Sequence, residues 1–222
     1  MRHIIDYFSK NHFHAAGVAG HTLSSRVVSI AGHAILALPP VLFTRALFAN
    51  PRAVGAFCPS SASLAHTIAR QVPRPCEGLV VELGGGTGAV THALLERGIE
   101  PRQLIVVERD RLMARHLKNR FPEITVIHGD AVRFCRHLHQ DGRQIQTVVS
   151  SLPLLSLPAP QVTAVCSCLQ EALAGEGLLI QYTYRVTSGH SPLTEYFQQS
   201  KTKIIWKNLP PARVEVFKHR IM

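Results

Sequence analysis

A short apolar run that ends in an acid and a glycine-rich turn constrains this chain more than any other feature. Residues Val80–Gly88 read VVELGGGTG, which is typical of a buried strand entering a tight turn and then a helix. Glycine allows positive φ and lets a ligand lie against bare backbone, and the helix N-terminus offers unpaired N–H groups. A second apolar stretch closes at Glu108, where a ribose would meet a carboxylate for its hydroxyls. The sequence therefore predicts a site for a nucleoside-containing cofactor.

The glycine pattern alone leaves two kinds of cofactor open. Gly84, Gly86 and Ala89 fit the dinucleotide fingerprint, so a nicotinamide or flavin site competes with an S-adenosylmethionine site. Glu82 favours S-adenosylmethionine, because an acid just before the glycines suits the methionine ammonium better than a pyrophosphate. Asp130 is a third acid after a strand, where it would accept a hydrogen bond from the adenine amine or simply cap the next helix.

Composition fits one domain with an appendage. The 222 residues are 46% hydrophobic and 17% charged, which is enough for a full core and unlike a disordered chain. The formal net charge of +10 predicts attraction to phosphates, either on nucleic acid or on an anionic bilayer. The five cysteines and thirteen histidines lack metal-binding spacing, so we expect no metal. Free thiols and no visible signal peptide predict a cytoplasmic protein.

Residues 1–49 differ from the rest and are predicted to form a helical, membrane-interfacial segment. Within them, residues 27–38 carry no Asp, Glu, Lys or Arg and are followed by Pro39 and Pro40. A helix of that length spans about 18 Å, whereas the hydrocarbon core of a bilayer is about 30 Å thick. We therefore expect this segment to lie in a bilayer surface without crossing it, or alternatively to pack on the core domain.

Residues 50–222 read as one domain of alternating strands and helices. The predicted strands are residues 79–83, 104–108, 124–128, 147–150 and 178–184. Their regular alternation with helices predicts a Rossmann-like, mostly parallel α/β sheet with helices on both faces. Residues 203–209 and 213–219, separated by a proline pair, instead read as an antiparallel hairpin. The expected fold is thus a seven-stranded sheet with a C-terminal antiparallel hairpin, preceded by an N-terminal helical segment.

The motifs, taken in order, resemble a known family. VVELGGGTG, IVVERD, GDA and SSLPLL look like the class I S-adenosylmethionine-dependent methyltransferases. Within that class the chain most resembles the bacterial phospholipid N-methyltransferases, relatives of the rRNA adenine dimethyltransferases. The closer likeness covers residues 40–222 and rests on further segments, which are Asn50-Pro51, Gly55-Ala56, Pro59-Ser60-Ser61, Ser150–Ser156, Gln181–Tyr184 and Asn208–Ala212.

The resemblance implies S-adenosylmethionine as cofactor and assigns contacts residue by residue. The cofactor residues would be Glu82 near the ammonium, Gly84, Gly86 and Gly88 around the methionine, Glu108 at the ribose, and Asp130 with Ala131 at the adenine. The acceptor amine would lie at Ser150, Ser151 and Pro153, the predicted catalytic residues, although strand-end capping is the alternative for the serines. Ser151 stands where the lipid enzymes often have glycine. No general base is evident, so we expect the serines and the carbonyls before Pro153 to orient the amine.

Leu154, Tyr182 and Tyr184 are the predicted substrate-pocket residues. Leu154 stands where the adenine methylases carry an aromatic residue, and stacking on a flipped base contributes about 1–3 kcal/mol. Leucine has no π face, and a primary alkyl amine such as ethanolamine needs none. Tyr182 and Tyr184 end the fifth strand, where they would hold a methylated ammonium by cation–π contact, worth about 0.5–2 kcal/mol, or belong to the core.

Together these features predict an enzyme that methylates the amine of a phospholipid head group, phosphatidylethanolamine or its methylated forms. Its expected partners are this lipid and an anionic membrane surface, with peripheral attachment to the inner face of the cytoplasmic membrane. An rRNA or other nucleic-acid adenine N-methyltransferase is the alternative, which the net charge of +10 would serve equally well. A membrane-associated binding protein without catalysis is a third class.

We predict that the glycine turn selects S-adenosylmethionine over a dinucleotide, because an acid precedes the turn. Calorimetric titration should show binding of S-adenosylmethionine or S-adenosylhomocysteine. Binding of NADH together with neither of these two would contradict the cofactor assignment.

Overall fold

The computed structural model describes residues 61–135, 144–173, 175–186 and 191–220. The predicted segment 1–49 and its boundary with the core lie outside these residues. The strands are β1 (Leu79–Leu83), β2 (Leu104–Glu108), β3 (Thr125–His128), β4 (Ile145–Ser150), β5 (Leu178–Thr183), β6 (Phe197–Ile205) and β7 (Ala212–His219). The α-helices are α1 (Ala62–Ala69), α2 (Ala89–Glu96), α3 (Arg111–Arg120), α4 (Ala131–Cys135) and α5 (Ala159–Ala172). None of the helices in this part of the chain is both long and apolar enough to span a bilayer.

The described strands form one sheet in the order β3-β2-β1-β4-β5-β7-β6. Strands β1 to β5 pair in parallel, and β7 pairs antiparallel with both β5 and β6. This topology confirms the predicted mostly parallel sheet with its antiparallel hairpin. The strand order reverses between β1 and β4, and such a switch point leaves a crevice at the carboxyl ends of the strands, where open α/β sheets bind ligands.

Apolar layers cover both faces of the sheet. One face packs under α1, α2 and α3, through core residues such as Ile68, Leu94 and Leu117. The other face packs under α4 and α5, through core residues such as Phe134 and Leu169. A strand enclosed on both faces reads as a continuous apolar run, which is why the central strands were predictable. All five residues of β1 are buried, including its one acidic residue.

The first five strands agree with their predicted bounds to within two residues. The last hairpin differs, because β6 begins at Phe197 instead of Lys203. The six residues after Phe197 are all exposed, and β6 pairs only with β7 at the edge of the sheet. An exposed edge strand lacks the apolar alternation that identifies a half-buried strand, so the polar first half of β6 has no periodic signal.

The β6–β7 turn is tied to the start of α1 through Asn208. This side chain is buried; its Oδ1 accepts a hydrogen bond from the Ser61 N–H at 2.9 Å, and its Nδ2 donates to the Pro210 carbonyl at 2.7 Å. The hydroxyl of Ser61 in turn accepts from the Leu64 N–H and caps α1. One buried amide therefore fixes the turn against the domain.

We predict that Asn208→Ala lowers the free energy of unfolding by about 1–3 kcal/mol, because the Ser61 N–H and the Pro210 carbonyl lose their partner. Denaturant unfolding followed by circular dichroism measures this change. The matched control is Asn119→Ala on the exposed surface of α3, which should stay within about 0.5 kcal/mol of wild type. Equal stability of Asn208→Ala and wild type would contradict the anchoring role.

Candidate active site

The glycine turn follows β1 at the carboxyl edge of the sheet. Gly84, Gly86 and Gly88 have φ of +87°, +51° and +81°, a region that disfavours residues with a side chain. A Cβ built on Gly86 would meet no atom within 4 Å, whereas one on Gly84 would lie 2.3 Å from the hydroxyl oxygen of Ser151. Gly86 thus leaves open space above its backbone for a ligand, and Gly84 is glycine because the loop after β4 packs against it.

Glu82 is buried in β1, two residues before the turn. Its Oε2 accepts a hydrogen bond from the Thr91 hydroxyl at 2.7 Å. Burial raises the pKa of Glu82 to about 8; the Thr91 bond opposes this shift, and the nearby charge of Glu108 adds to it. At neutral pH the Glu82 carboxyl is therefore mostly protonated in the free protein. Thr91, on the buried side of α2, is a site residue that sequence reasoning missed.

Glu108 ends β2, next to the glycine turn. One carboxylate oxygen accepts the N–H of Gly86 at 2.8 Å, and the other accepts the N–H of Asp110 at 2.7 Å. A carboxylate oxygen can accept more than one hydrogen bond, so both oxygens keep capacity for further donors. The group is thereby fixed in place beside the open space above Gly86.

Asp130 follows β3 and lies in the next strand connection along the same edge. Its Oδ1 accepts from the Arg133 N–H at 3.1 Å, which is the capping role considered as the alternative from sequence. The neighbouring Gly129 donates its N–H to the Glu108 carbonyl at 2.9 Å, which holds this connection beside the end of β2. The structure therefore brings Glu82, Glu108 and Asp130 to the ends of three adjacent strands.

Ser150 and Ser151 join the end of β4 to the glycine turn. The Ser151 N–H donates to the Leu83 carbonyl at 3.0 Å, and the Ser151 hydroxyl lies 2.7 Å from the carbonyl oxygens of both Leu83 and Gly84. One hydroxyl donates to one of these at a time. The buried Ser150 hydroxyl accepts from the Leu152 N–H at 3.3 Å. Ser151 thus holds the loop before Pro153 against the predicted cofactor turn, and Ser150 fixes the loop internally at Leu152.

Gln181 is a second residue that sequence reasoning missed as a site residue. It is 4% exposed, pairs with Ser150 across β4 and β5, and donates from Nε2 to the Leu152 carbonyl at 3.0 Å and the Tyr182 carbonyl at 2.9 Å. Its buried Oε1 has no hydrogen-bond partner among the described residues. A glutamine within the apolar strand LLIQYT is the signal that could have identified it.

The three predicted pocket residues lie on opposite faces of the sheet, with Leu154 and Tyr184 buried in the core and Tyr182 packed against it. Leu154 is buried in the layer under α5. Tyr184 is buried and Tyr182 half-buried in the layer under α1 and α2, and their rings meet edge to face with centroids 6.1 Å apart. The structure does not bring Leu154 and the tyrosines together.

Comparison with known proteins identifies the family. Residues 80–177 match the family described as a methyltransferase domain. An ornithine lipid N-methyltransferase from Singulisphaera acidiphila is 32% identical over 175 residues, which cover 77% of this chain and 91% of that protein. The chain belongs to the S-adenosylmethionine-dependent methyltransferases. This confirms that it is an N-methyltransferase with S-adenosylmethionine as its cofactor, a group that the open backbone at Gly86 and the fixed Glu108 carboxylate can accommodate.

Two other comparisons concern an rRNA methyltransferase and a solved N-methyltransferase structure. A ribosomal RNA small subunit methyltransferase A from Chlorobium chlorochromatii is 36% identical over 75 residues, which cover 33% of this chain and 27% of that protein. The N-methyltransferase NodS from Bradyrhizobium japonicum, solved with S-adenosyl-L-homocysteine, superposes with a TM-score of 0.58 at 14% identity and covers 86% of this chain and 99% of its own. At that identity the superposition shows the shared fold.

We predict that ionisation of Glu82 destabilises the free methyltransferase as the pH rises. Its pKa of about 8 lies above the value near 4.5 for an unperturbed carboxyl, so between these values the folded state binds more protons than the unfolded state. The contribution of the Glu82 carboxyl to the free energy of unfolding is fully present below pH 4.5. It falls as the pH rises towards 8, by at most about 1.4 kcal/mol per pH unit.

Glu82→Gln removes this titration, so its stability relative to wild type should increase from pH 5 to pH 7.5. Urea unfolding of both proteins at the two pH values measures the difference. The exposed Glu123→Gln serves as the matched control and should show no such trend. A pH-independent difference between Glu82→Gln and wild type would contradict the raised pKa.

Proposed function

We propose that this methyltransferase methylates the head-group amine of a membrane lipid, phosphatidylethanolamine or its methylated forms, while attached peripherally to the inner face of the cytoplasmic membrane. The observation that carries the proposal is the extent of the two sequence matches. The match to the ornithine lipid enzyme covers 77% of the chain, whereas the rRNA enzyme matches over 33%.

In this proposal the acids at the strand ends hold the cofactor. Glu108 accepts the ribose hydroxyls with the lone pairs that its two backbone donors leave open. Asp130 and Ala131 face the adenine, and the glycine turn lies against the methionine part. Glu82 faces the ammonium, where a cation favours the ionised carboxylate and so lowers its pKa from about 8.

When bound, the cofactor would supply a methyl group on a sulfonium: the amine nitrogen would bond to the methyl carbon as the carbon–sulfur bond breaks and the sulfur leaves as a neutral thioether. The part of the protein is to position that amine. We assign this positioning to the Ser151 carbonyl. The Leu152 carbonyl already accepts two hydrogen bonds, from Gln181 Nε2 and the Leu154 N–H, and the Pro153 carbonyl accepts from the Ser156 N–H. The Ser151 hydroxyl faces the glycine turn, so the backbone of this residue, rather than its side chain, orients the acceptor.

The amine must reach this loop unprotonated, although an alkyl ammonium in water has a pKa near 10.4. Positive charge nearby and a site that excludes water both lower that pKa. Among the described residues, the side-chain hydrogen bonds of this loop come from Ser150, Ser151 and Gln181, and we assign the departing proton to solvent. Orientation within reach of the methyl group is the main contribution expected of the protein.

The test is a direct comparison of acceptors. The full chain is incubated with methyl-labelled S-adenosylmethionine and three substrates in separate reactions. These are vesicles of phosphatidylethanolamine with phosphatidylglycerol, vesicles of ornithine lipid with phosphatidylglycerol, and total bacterial RNA. We expect label in the phosphatidylethanolamine fraction, and vesicles of phosphatidylcholine alone, which lack an amine that can accept a methyl group, are the control.

Label in ornithine lipid without label in phosphatidylethanolamine would keep the lipid class and correct the head group. Label in RNA without label in either lipid would overturn the proposal in favour of a nucleic-acid N-methyltransferase.

A further inference from the structure

Exposed apolar side chains follow several strands along one edge of the sheet. Among the residues that the structure describes, the exposed large hydrophobic side chains are Leu112, Leu155, Trp206 and Leu209, with 50%, 40%, 70% and 75% of their surface accessible. Leu112 follows β2 and Leu155 follows β4, at the edge where the parallel strands end. The remaining two lie in the β6–β7 turn.

That turn lies at the same edge as the active site. Strand β7 runs antiparallel to β5, with Arg213 opposite Thr183 at the end of β5 and Lys218 opposite Leu178 at its start. The turn before β7 therefore lies beside the carboxyl end of β5. Strand β6 is three strands from β4, or about 14 Å at the usual spacing, so the turn and the loop of Ser150 and Ser151 lie along the same edge of the sheet.

The turn presents its two large apolar side chains outwards from a fixed base. Asn208 lies between Trp206 and Leu209, and its buried amide is bound to the Ser61 N–H and the Pro210 carbonyl. A buried anchor between two exposed apolar residues holds both towards solvent. Exposed tryptophan and leucine side chains in a pinned turn add little to the described core, and exposed apolar patches of this kind mark interaction sites.

The charge of this hairpin restricts the partner. Residues 196–214 contain Lys201, Lys203, Lys207 and Arg213 and no acidic residue. All three lysines are exposed, while Arg213 pairs with the buried Glu215 at 3.1 Å. Lysines beside a tryptophan and a leucine match an anionic bilayer surface, where indole lies at the level of the head groups and ammonium groups contact phosphates.

We propose that the β6–β7 turn docks this methyltransferase onto an anionic lipid bilayer, with Trp206 and Leu209 inserted among the head groups and Lys203 and Lys207 on the lipid phosphates. This inference rests on the proposed function in one respect, which is that docking through the β6–β7 turn brings the active-site edge of the sheet to a lipid amine. Single-stranded RNA fits less well, because stacking on bases would use Trp206 but leave Leu209 and Leu155 in water.

The chain contains a single tryptophan, so its fluorescence reports on this turn alone. Full-length protein is mixed with vesicles of phosphatidylglycerol and phosphatidylcholine in equal parts, with vesicles of phosphatidylcholine alone, and with total RNA. We expect a blue shift of Trp206 emission, protection from iodide, and quenching by brominated phosphatidylcholine in the anionic vesicles only. Protein that floats with the vesicles while Trp206 stays accessible to iodide would overturn the inference, as would a shift with RNA alone or no binding to vesicles.

A matched pair of charge reversals tests the lysine contribution. Lys207→Glu lies in the turn, and Lys218→Glu lies at the opposite edge of the sheet, while both change the net charge equally. We expect Lys207→Glu to weaken binding to the anionic vesicles about fivefold or more and Lys218→Glu to leave it within about twofold. Equal weakening by both variants would indicate attraction by net charge and would overturn docking through this turn.

These outcomes separate the two proposals. Methyl label in lipid with Trp206 remaining in water overturns docking through the turn and leaves the proposed lipid substrate intact. Insertion of Trp206 into vesicles, together with methyl label only in RNA, would support docking through the turn and overturn the proposed lipid substrate.

Discussion

Two backbone N–H groups converge on the carboxylate of Glu108, one from the glycine turn after β1 and one from the start of α3. This contact joins the ends of two adjacent strands and gives the turn its position. Hydrogen bonds to an ionised acceptor are among the stronger ones in proteins, so the turn is firmly held from the β2 side. On the β4 side, Ser151 binds the Leu83 and Gly84 carbonyls and holds the turn again. A turn held on both flanks is organised before a ligand arrives, which reduces the cost of ordering it on binding.

Glu82 shows how the same edge departs from the rules that govern the rest of the core. A carboxyl in a strand buried on both faces is unfavourable when charged, and the raised pKa expresses that penalty. Thr91 satisfies one oxygen with a hydrogen bond. The rest of the strand is aliphatic, so packing alone does not account for an acid at this position. Conflicts of this kind between local preference and burial are expected at functional sites.

Much of the fold was predictable because the signals are local. The apolar runs of the central strands and the glycine turn after β1 both depend on residues close in sequence. The start of β6 was not predictable, because an edge strand exposed to solvent has no apolar period.

The site was predictable only in part, for a related physical reason. Sequence places acids at strand ends, but which groups they touch depends on strands that are far apart along the chain. Ser151 meets a glycine 67 residues away, and Gln181 meets the Leu152 carbonyl 29 residues away. Likewise, Leu154 and Tyr184 both follow strands at the carboxyl edge, yet they pack on opposite faces of the sheet. Leu154 lies in the layer under α5, and Tyr184 lies in the layer under α1 and α2. Such choices are made by tertiary packing rather than by local pattern.

The Glu108 carboxylate, held by two backbone donors, is the group that we propose binds the ribose of the cofactor. Calorimetry of S-adenosylhomocysteine binding to wild type, Glu108→Gln and the exposed control Glu123→Gln tests it most directly, with melting curves confirming that each apoprotein is folded. Loss of a carboxylate–hydroxyl bond should raise the dissociation constant of Glu108→Gln about tenfold or more, with Glu123→Gln unchanged. A folded Glu108→Gln that binds with wild-type affinity would contradict the account.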